Sequence, residues 1–290
     1  MSQVSFCIAT HNNPEGLYLS LFAALAQLEK SSLDWEIVIV ADCGTPVKWE
    51  QAHPDVRCIR LTGSNRSGSP QGTRDAGIRA ARYRNVLCID SHVIVSDIEK
   101  WVAEHERVGA ALSFPAMAGG SSEMWKLYGS VFDWNGSFWY KHVLYKPKKE
   151  EPYRILETSH SGFMVDRDWY VRTGGYTTLQ TGYGGEETFL GLKAWMTGRE
   201  NWLIPSVWHA HYQPVGRNEG AENQDNYKRN FMVASYVFGG QEYLNKTESF
   251  YRGRLKITPE IEKERQYICS FPFNGNLDFL RFYLDREGIV

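Results

Sequence analysis

In the N-terminal third of the chain the apolar positions fall into short continuous runs: VSFCIA (4 to 9), WEIVIVA (35 to 41), VRCIRL (56 to 61) and NVLCI (85 to 89). Runs of this length, rich in β-branched residues and closed by polar segments, are the pattern of strands covered on both faces. Between them the texture changes. THNNPEG closes the first run, and its Pro14 suits the first turn of a helix that continues through Leu28. SPQGTRDAGIRAARYR, opened by Ser69 and Pro70, predicts a second helix ahead of the fourth strand. Strand, helix, strand, strand, helix, strand with short connections predicts a Rossmann-like α/β fold with a parallel sheet.

The second half continues the alternation. SGFMVDRDWYVRTGGY (161 to 176) reads as a strand, a short helix and a Gly-Gly break. TGYGGEETFLGLKAWMTG (181 to 198) reads as a glycine-rich loop running into an amphipathic helix with Glu186 and Glu187 in its first turn. The helix dipole favours acids there by about 0.3–1 kcal/mol each, so capping alone would account for them. NWLIP predicts a strand that leads to SVWHAHYQP, where His209 and His211 are two apart beside Trp208 and Tyr212. Taken by itself, that pair reads as aromatic packing.

Sheets of this kind bind ligands outside the carboxyl ends of their strands. That edge would hold Thr10, His11, Asp42 and the triplet Asp90-Ser91-His92, which interrupts an apolar run. An Asp-Ser pair at a strand end is a common turn signal, because both side chains bond nearby backbone N–H groups. The alternative is a metal site, since residues i and i+2 of an extended segment point the same way.

Composition narrows the class. With 290 residues, 42% hydrophobic and 23% charged, the chain can bury a core for one large α/β domain or a domain with a tail. A net charge of −2 removes any global attraction to nucleic acid or anionic membranes. The cysteines (Cys7, Cys43, Cys58, Cys88, Cys269) form no C-x-x-C and read as free thiols of a reducing compartment. The chain enters its first strand without a basic or long apolar leader, and no run approaches a membrane span of ~18 apolar residues. Sequons stand at Asn65, Asn135 and Asn245, the first two in segments assigned to the active site, where glycans would block it. A cytoplasmic location is the expectation.

Several segments in order resemble one family: THN after the first strand, Asp-Ser-His after the fourth, YGSVFDWNGSFWYK, SGFMVDRDWYVRTGGY, GYGGEETFLGLKAW, IPSVWH and YKRNFMVASYVFGGQEYLNKTESFY. The chain resembles the catalytic domain of the polypeptide N-acetylgalactosaminyltransferases, retaining, manganese-dependent, UDP-sugar-using enzymes of GT-A fold. The resemblance implies a GT-A catalytic domain over 1–252, with 253–290 as a helical extension that packs back or forms an oligomer contact.

It further implies roles. Asp90, His92 and His209 would be ligands of Mn2+ (or Mg2+) in a D-x-H variant of the Asp-x-Asp motif. Thr10, His11 and Asp42 would hold uracil and ribose, with Ser91 beside them. Arg74, and Arg66 with Gly68, would face the sugar or diphosphate. Ser161, Gly162, Tyr183 and Glu186 would line the donor-sugar pocket, and His211, Tyr212 and Arg217 would belong to a loop closing over UDP. Glu186, Glu187 and Arg74 are the candidate catalytic residues.

Departures from the family pattern matter. Glu187 replaces an Asn, and a second acid there can deprotonate an acceptor hydroxyl, so inversion stays open although retention is favoured. Tyr183 replaces a Trp, and Ser161, preceded by His160, replaces a glycine, so the transferred sugar need not be N-acetylgalactosamine. The acceptor hydroxyl would sit on a glycan, a peptide or a hydroxymethylated DNA base. For the last, Arg66, Arg74, Arg79, Arg82 and Arg84 with Trp134, Trp139, Lys141, Lys146, Lys148 and Lys149 would form a basic, aromatic surface. A non-catalytic nucleotide-sugar-binding protein is the remaining alternative. A dehydrogenase is excluded by the absence of G-x-G-x-x-G after the first strand.

Overall fold

The computed structural model describes residues 1–11, 13–42, 53–61, 70–119, 125–127, 130–132, 134, 140–142, 150–157, 161–176, 179–180, 182, 184–212 and 222–289. The N-terminal part consists of β1 (Gln3–His11), α1 (Pro14–Leu28), β2 (Asp34–Asp42), β3 (Val56–Leu61), α2 (Pro70–Ala80), β4 (Asn85–Asp90), β5 (Val93–Val95) and α3 (Ile98–Val108). Next come β6 (Leu112–Gly119), β7 (Trp125–Leu127), β8 (Ser130–Phe132), β9 (Tyr140–His142), β10 (Tyr153–Ile155), β11 (Gly162–Asp166), α4 (Arg167–Arg172), α5 (Glu186–Met196) and β12 (Asn201–His211). The chain closes with α6 (Glu222–Tyr251), α7 (Pro259–Cys269) and α8 (Leu277–Arg286).

The main sheet has the order β10-β12-β6-β11-β4-β1-β2-β3, with β5 added to β12 and β7 to β6. Its N-terminal half, β3-β2-β1-β4, is parallel as the sequence predicts. Beyond β4 the sheet is mixed: β11 runs antiparallel to both β4 and β6, while β12 is parallel to β6. The last strand is also longer than NWLIP indicates. It carries on past an irregularity between Ile204 and Trp208 to His211, so the His-x-His segment is strand and not loop.

Both faces of the sheet are covered, which explains the continuous apolar runs. Val4, Phe6 and Ile8 of β1 pack into one core with α1 and α3, whereas Cys7 joins the opposite core with Ile78 of α2 and Trp169 and Tyr170 of α4. β4 divides in the same way, Leu87 and Ile89 to one side and Val86 and Cys88 to the other. Within 4–8 and 86–89 alternate residues therefore pack on opposite faces, apolar on both apart from the buried Ser5, whose hydroxyl donates to Glu36 at 2.7 Å. Burial of such side chains contributes roughly 1.5–3 kcal/mol each before the entropy cost.

The C-terminal helices make a third core with α5. Trp195 and Phe189 meet Phe231 and Phe238 of α6, Ile261 and Ile268 of α7 and Leu280 and Leu284 of α8. Gly240 breaks α6 with φ 75° and ψ −162°, and a side chain there would run into the Arg265 guanidinium at 2.6 Å. Lys193 of α5 is fully buried, donates to the Gly175 carbonyl at 3.1 Å and faces Glu264 of α7 at 2.8 Å, an ion pair rather than an aligned hydrogen bond. α7 and α8 are thus packed on the α/β core.

The cysteines Cys7, Cys58, Cys88 and Cys269 are free thiols, and Cys43 lies outside the described residues. Among the described residues no helix is long and apolar enough to cross a membrane.

Candidate active site at the carboxyl edge of the sheet

β1, β2 and β4 are in register, so their last residues arrive at one edge. His11 stands opposite Asp42, with Nδ1 3.6 Å from the carboxylate, and Ala9 stands opposite Asp90. Thr10 and Asp42 are buried, and the Thr10 hydroxyl has no protein partner there. Past Asp90 the backbone turns: Ser91 N–H donates to the Ala9 carbonyl, and Asp90 N–H to the Ser161 carbonyl just before β11. The Ser91 carbonyl lies where a Cβ on Gly16 would come within 2.6 Å, so a glycine in the first turn of α1 lets this loop sit on the helix.

The turn and metal readings of Asp-Ser-His are compatible in this geometry. Asp90, His92 and His211 bring one ligand atom each within 4.8 Å of one another. The imidazoles of His92 and His211 are stacked, with centroids 4.7 Å apart and Nε2 atoms at 2.8 Å. Strand pairing enforces this, because β12 runs antiparallel to β5 with His211 opposite Val93, and Tyr212 N–H donates to the His92 carbonyl. One carboxylate and two imidazoles form a donor set suited to a divalent transition metal.

His209, which the resemblance named as the third ligand, is not in this cluster. It shares a strand face with His211 but lies deeper, 1% exposed, with Nε2 2.9 Å from the Ser161 hydroxyl and Nδ1 without a partner. Gly162 packs over its ring, where an added Cβ would be 3.4 Å from Nδ1. Burial, assisted by the neighbouring His211, pushes its pKa down to about 3, so it is neutral and built into the wall. His211, which the resemblance puts in a closing loop, is instead held at the strand end. Tyr212 follows it, exposed.

Arg74 joins the Asp90–His92–His211 cluster to the acids of α5. It is 5% exposed, with Nη2 2.7 Å from Asp90 and Nη1 3.5 Å from Glu186. Burial opposes its charge, but Asp90, Tyr176 and Glu186 raise its pKa well above the ordinary value. Burial likewise pushes the Asp90 carboxyl up, and Arg74 with His92 and His211 more than reverses this, leaving it below its ordinary value. The guanidinium is therefore an interior cation and not part of a solvated surface.

Glu186 is buried, accepts from Gln71 Nε2 at 3.2 Å and is pushed upward by burial, with Arg74 working against the shift. Glu187, half-buried next to it, is pushed up to about 8 by desolvation and by Glu186. Both are positioned by the glycine-rich loop. Gly184 has φ 99°, and any Cβ on it would lie 1.8 Å from the Tyr227 ring of α6, while Asn230 donates to the Gly184 carbonyl at 2.7 Å.

One acid went unnoticed in the sequence. Glu157, after β10, is 1% exposed, has Oε2 unpartnered and packs against Gly191 of α5, one turn beyond Glu187. Burial and the charges of Glu187 and Glu186 push it far up. Its only sequence signal is a single acid after an apolar pair, Ile155-Leu156.

Arg66, Gly68, Tyr183 and Arg217 lie outside the described residues, as do His160, Trp139, Lys146, Lys148 and Lys149. Of the other residues drawn for DNA, Arg74 is buried, Arg79 binds Asp75, Arg82 and Arg84 are exposed with Arg84 bound to Asp166, and Trp134 carries Arg281 over its ring at 5.9 Å.

Comparison with known proteins agrees with this fold. The sequence model of glycosyl transferase family 2 matches residues 5–173. Human polypeptide N-acetylgalactosaminyltransferase 16 is 24% identical over 92% of this chain and 51% of its own length. The succinoglycan biosynthesis protein ExoO of Rhizobium meliloti is 37% identical over 30% of this chain and 25% of its own. Among solved structures, GalNAc-T7 with UDP, GalNAc and Mn2+ superposes with a TM-score of 0.76 at 16% identity, over 100% of this chain and 58% of that one. TarS 1-349 of S. aureus with UDP-GlcNAc follows at 0.56 and 15%, over 99% and 88%. The fold is thus the GT-A fold. The chain spans at most about half the length of the curated relatives it matches.

Proposed function

Because the chain belongs to glycosyl transferase family 2, we propose that it transfers a sugar from a UDP-sugar to an acceptor hydroxyl with a divalent metal, preferably Mn2+, held by Asp90, His92 and His211. The observation that carries this is the convergence of these three side chains beside the Arg74–Glu186 pair at the carboxyl edge. Bound there, a divalent cation supplies charge neutralisation of the leaving diphosphate. The chain's own groups do the rest. Asp42 and His11 present acceptors and a donor to base and ribose, and the Thr10 hydroxyl, unpartnered in the protein, adds one more group for the nucleotide to satisfy. Arg74 holds Asp90 ionised and orients Glu186 toward sugar hydroxyls. Ser161 and Gly162 close the wall behind the sugar, backed by His209.

Retention is the outcome that the resemblance favours. A specific observation supports the inverting alternative: Glu187 is a half-buried carboxyl with a pKa of about 8, suited to taking the acceptor's proton near neutral pH. The anomeric configuration of the product, read by NMR before mutarotation, decides between them.

We take 1–252 as the catalytic domain and 253–290 as a helical extension. The free thiols of Cys7, Cys58, Cys88 and Cys269 support a reducing, cytoplasmic setting.

The test of the donor reading is calorimetry with UDP, GDP, CMP and UDP-sugars, each with Mn2+ and with EDTA. A ligand of the folded state raises stability by RT ln(1 + [L]/Kd), about 2.7 kcal/mol at a hundredfold excess over Kd. Manganese-dependent binding of UDP compounds is the expected result. Binding of no nucleotide under either condition overturns the proposal.

A further inference from the structure

α6 presents two different faces. Asn226, Tyr227 and Asn230 pack on the glycine-rich loop that leads into Glu186. Asp225, Lys228, Arg229 and Met232 line a cleft of about 440 Å³ closed on its other side by the end of α6 and the segment that follows, through Arg252, Arg254 and Lys256. That volume is within the range of small-molecule sites, ~300–1,000 Å³. Five cationic side chains line it against one acid, in a chain whose net charge is −2.

The internal partners do not use up this charge. Asp225 is almost fully exposed and only 3.8 Å from Lys228, a weak pair. Glu248, behind the cleft, takes Arg254 at 2.7 Å. Arg229 spends one N–H on the Leu179 carbonyl and has no acid beside it, and its burial opposes its charge. Arg252 and Lys256 have no acidic partner among the described residues. Exposure alternates along 252–256, and Arg252, which turns the chain out of α6 with φ 52°, Arg254 and Lys256 are the exposed positions.

Two unpaired cations and a partly desolvated third, converging on a concave space, are chemistry for a multiply charged anion. A phosphate suits it best: guanidinium forks bind its oxygens in pairs, and lysines add point charge. Met232, Tyr251 and Leu255 supply an apolar floor for an attached organic group.

We propose that this cleft binds an organic phosphate or diphosphate at a subsite separate from Asp90, His92 and His211. The site shares a helix with the loop that positions Glu186, which places it to hold the phosphate-bearing part of an acceptor. That role rests on the glycosyl-transfer reading; the binding does not.

The experiment is a titration of the full chain with sodium pyrophosphate and with glucose 1-phosphate, in EDTA so that no metal centre captures them, followed by thermal shift and calorimetry. Sodium chloride at matched ionic strength is the control. Arg252→Ala/Lys256→Ala and, as a second variant, Lys256→Gln are titrated in parallel, both at exposed positions outside the core. Expected is stabilisation beyond the chloride control, with Kd at least tenfold weaker in the double variant, and unchanged UDP binding with Mn2+. Equal responses in wild type and double variant, or none beyond chloride, overturn the proposal. Glucose 1-phosphate binding no weaker than pyrophosphate supports an organic phosphate as the occupant; binding of pyrophosphate alone counts against it. Loss of UDP binding in the wild type would count against the donor site and leave this subsite standing.

Discussion

Arg74, on α2, reaches Asp90 at the end of β4 at 2.7 Å and Glu186 at the start of α5 at 3.5 Å. A single interior cation thereby joins the edge that would hold a nucleotide diphosphate to the helix that would hold the sugar. Removing one partner of a buried pair leaves the others uncompensated. Arg74→Ala is expected to lower stability by about 3 kcal/mol and to abolish turnover. Chemical denaturation and an activity assay read the two effects, and a variant with full activity refutes the role.

The histidines separate by depth. Asp90→Ala and His211→Ala should each reduce Mn2+ affinity at least tenfold, as seen by EPR of free manganese, because each deletes a proposed ligand of the metal. His209→Ala should leave Mn2+ affinity within a few-fold while lowering thermal stability, since its ring fills the wall behind Ser161 and Gly162. Loss of the metal in His209→Ala with retention in His211→Ala would reverse the assignment.

Glu187 sets a pH dependence. If it takes the acceptor's proton, kcat/KM should rise with pH and level off above about 8, where the carboxyl is ionised. Glu187→Gln should abolish that rise and reduce kcat by about 10²–10⁴-fold, the usual worth of a general base. The linkage has the opposite sense for stability. The folded state holds the proton up to about 8 while the unfolded chain releases it at the ordinary carboxylate value. Stability therefore falls as pH rises between those values. Glu187→Gln should flatten that fall in a denaturant series from pH 5 to 9.

Gly184 tests the loop. Its φ of 99° and the Tyr227 ring 1.8 Å from any Cβ leave no room for a side chain. Gly184→Ala should displace the loop, costing at least ~1 kcal/mol of stability and reducing kcat through Glu186 and Glu187. An active, equally stable Gly184→Ala would refute this packing.

Lys193 and Glu264 anchor the C-terminal helices. Glu264→Ala strands a fully buried ammonium and should cost about 3 kcal/mol. Adding Lys193→Met should recover most of it, because an apolar side chain of similar size has no charge to compensate. Failure of the second change to rescue the first would mean the pair is not the anchor.

What the sequence determined by itself is local. The apolar runs marked the strands of the parallel half, because most residues on both faces of β1, β2 and β4 are buried. Pro14, the Gly-Gly at 174 and 175 and the glycines before Glu186 marked where helices begin and where the backbone turns left-handed. The same reading placed Thr10, Asp42 and Asp90 at one edge, because parallel neighbours end together. Only the tertiary structure decided depth and company. His209 and His211 are the same residue type on the same strand face, and their difference comes from Ser161 and Gly162 lying over one and not the other. Arg74 looks like any helical arginine until Asp90 and Glu186 converge on it from two other elements. Glu157 becomes notable only when the packing of β10 against α5 buries it near Glu187. Charge and hydrogen-bond chemistry at a site depend on which segments meet, and long-range register carries that information in no single stretch of sequence.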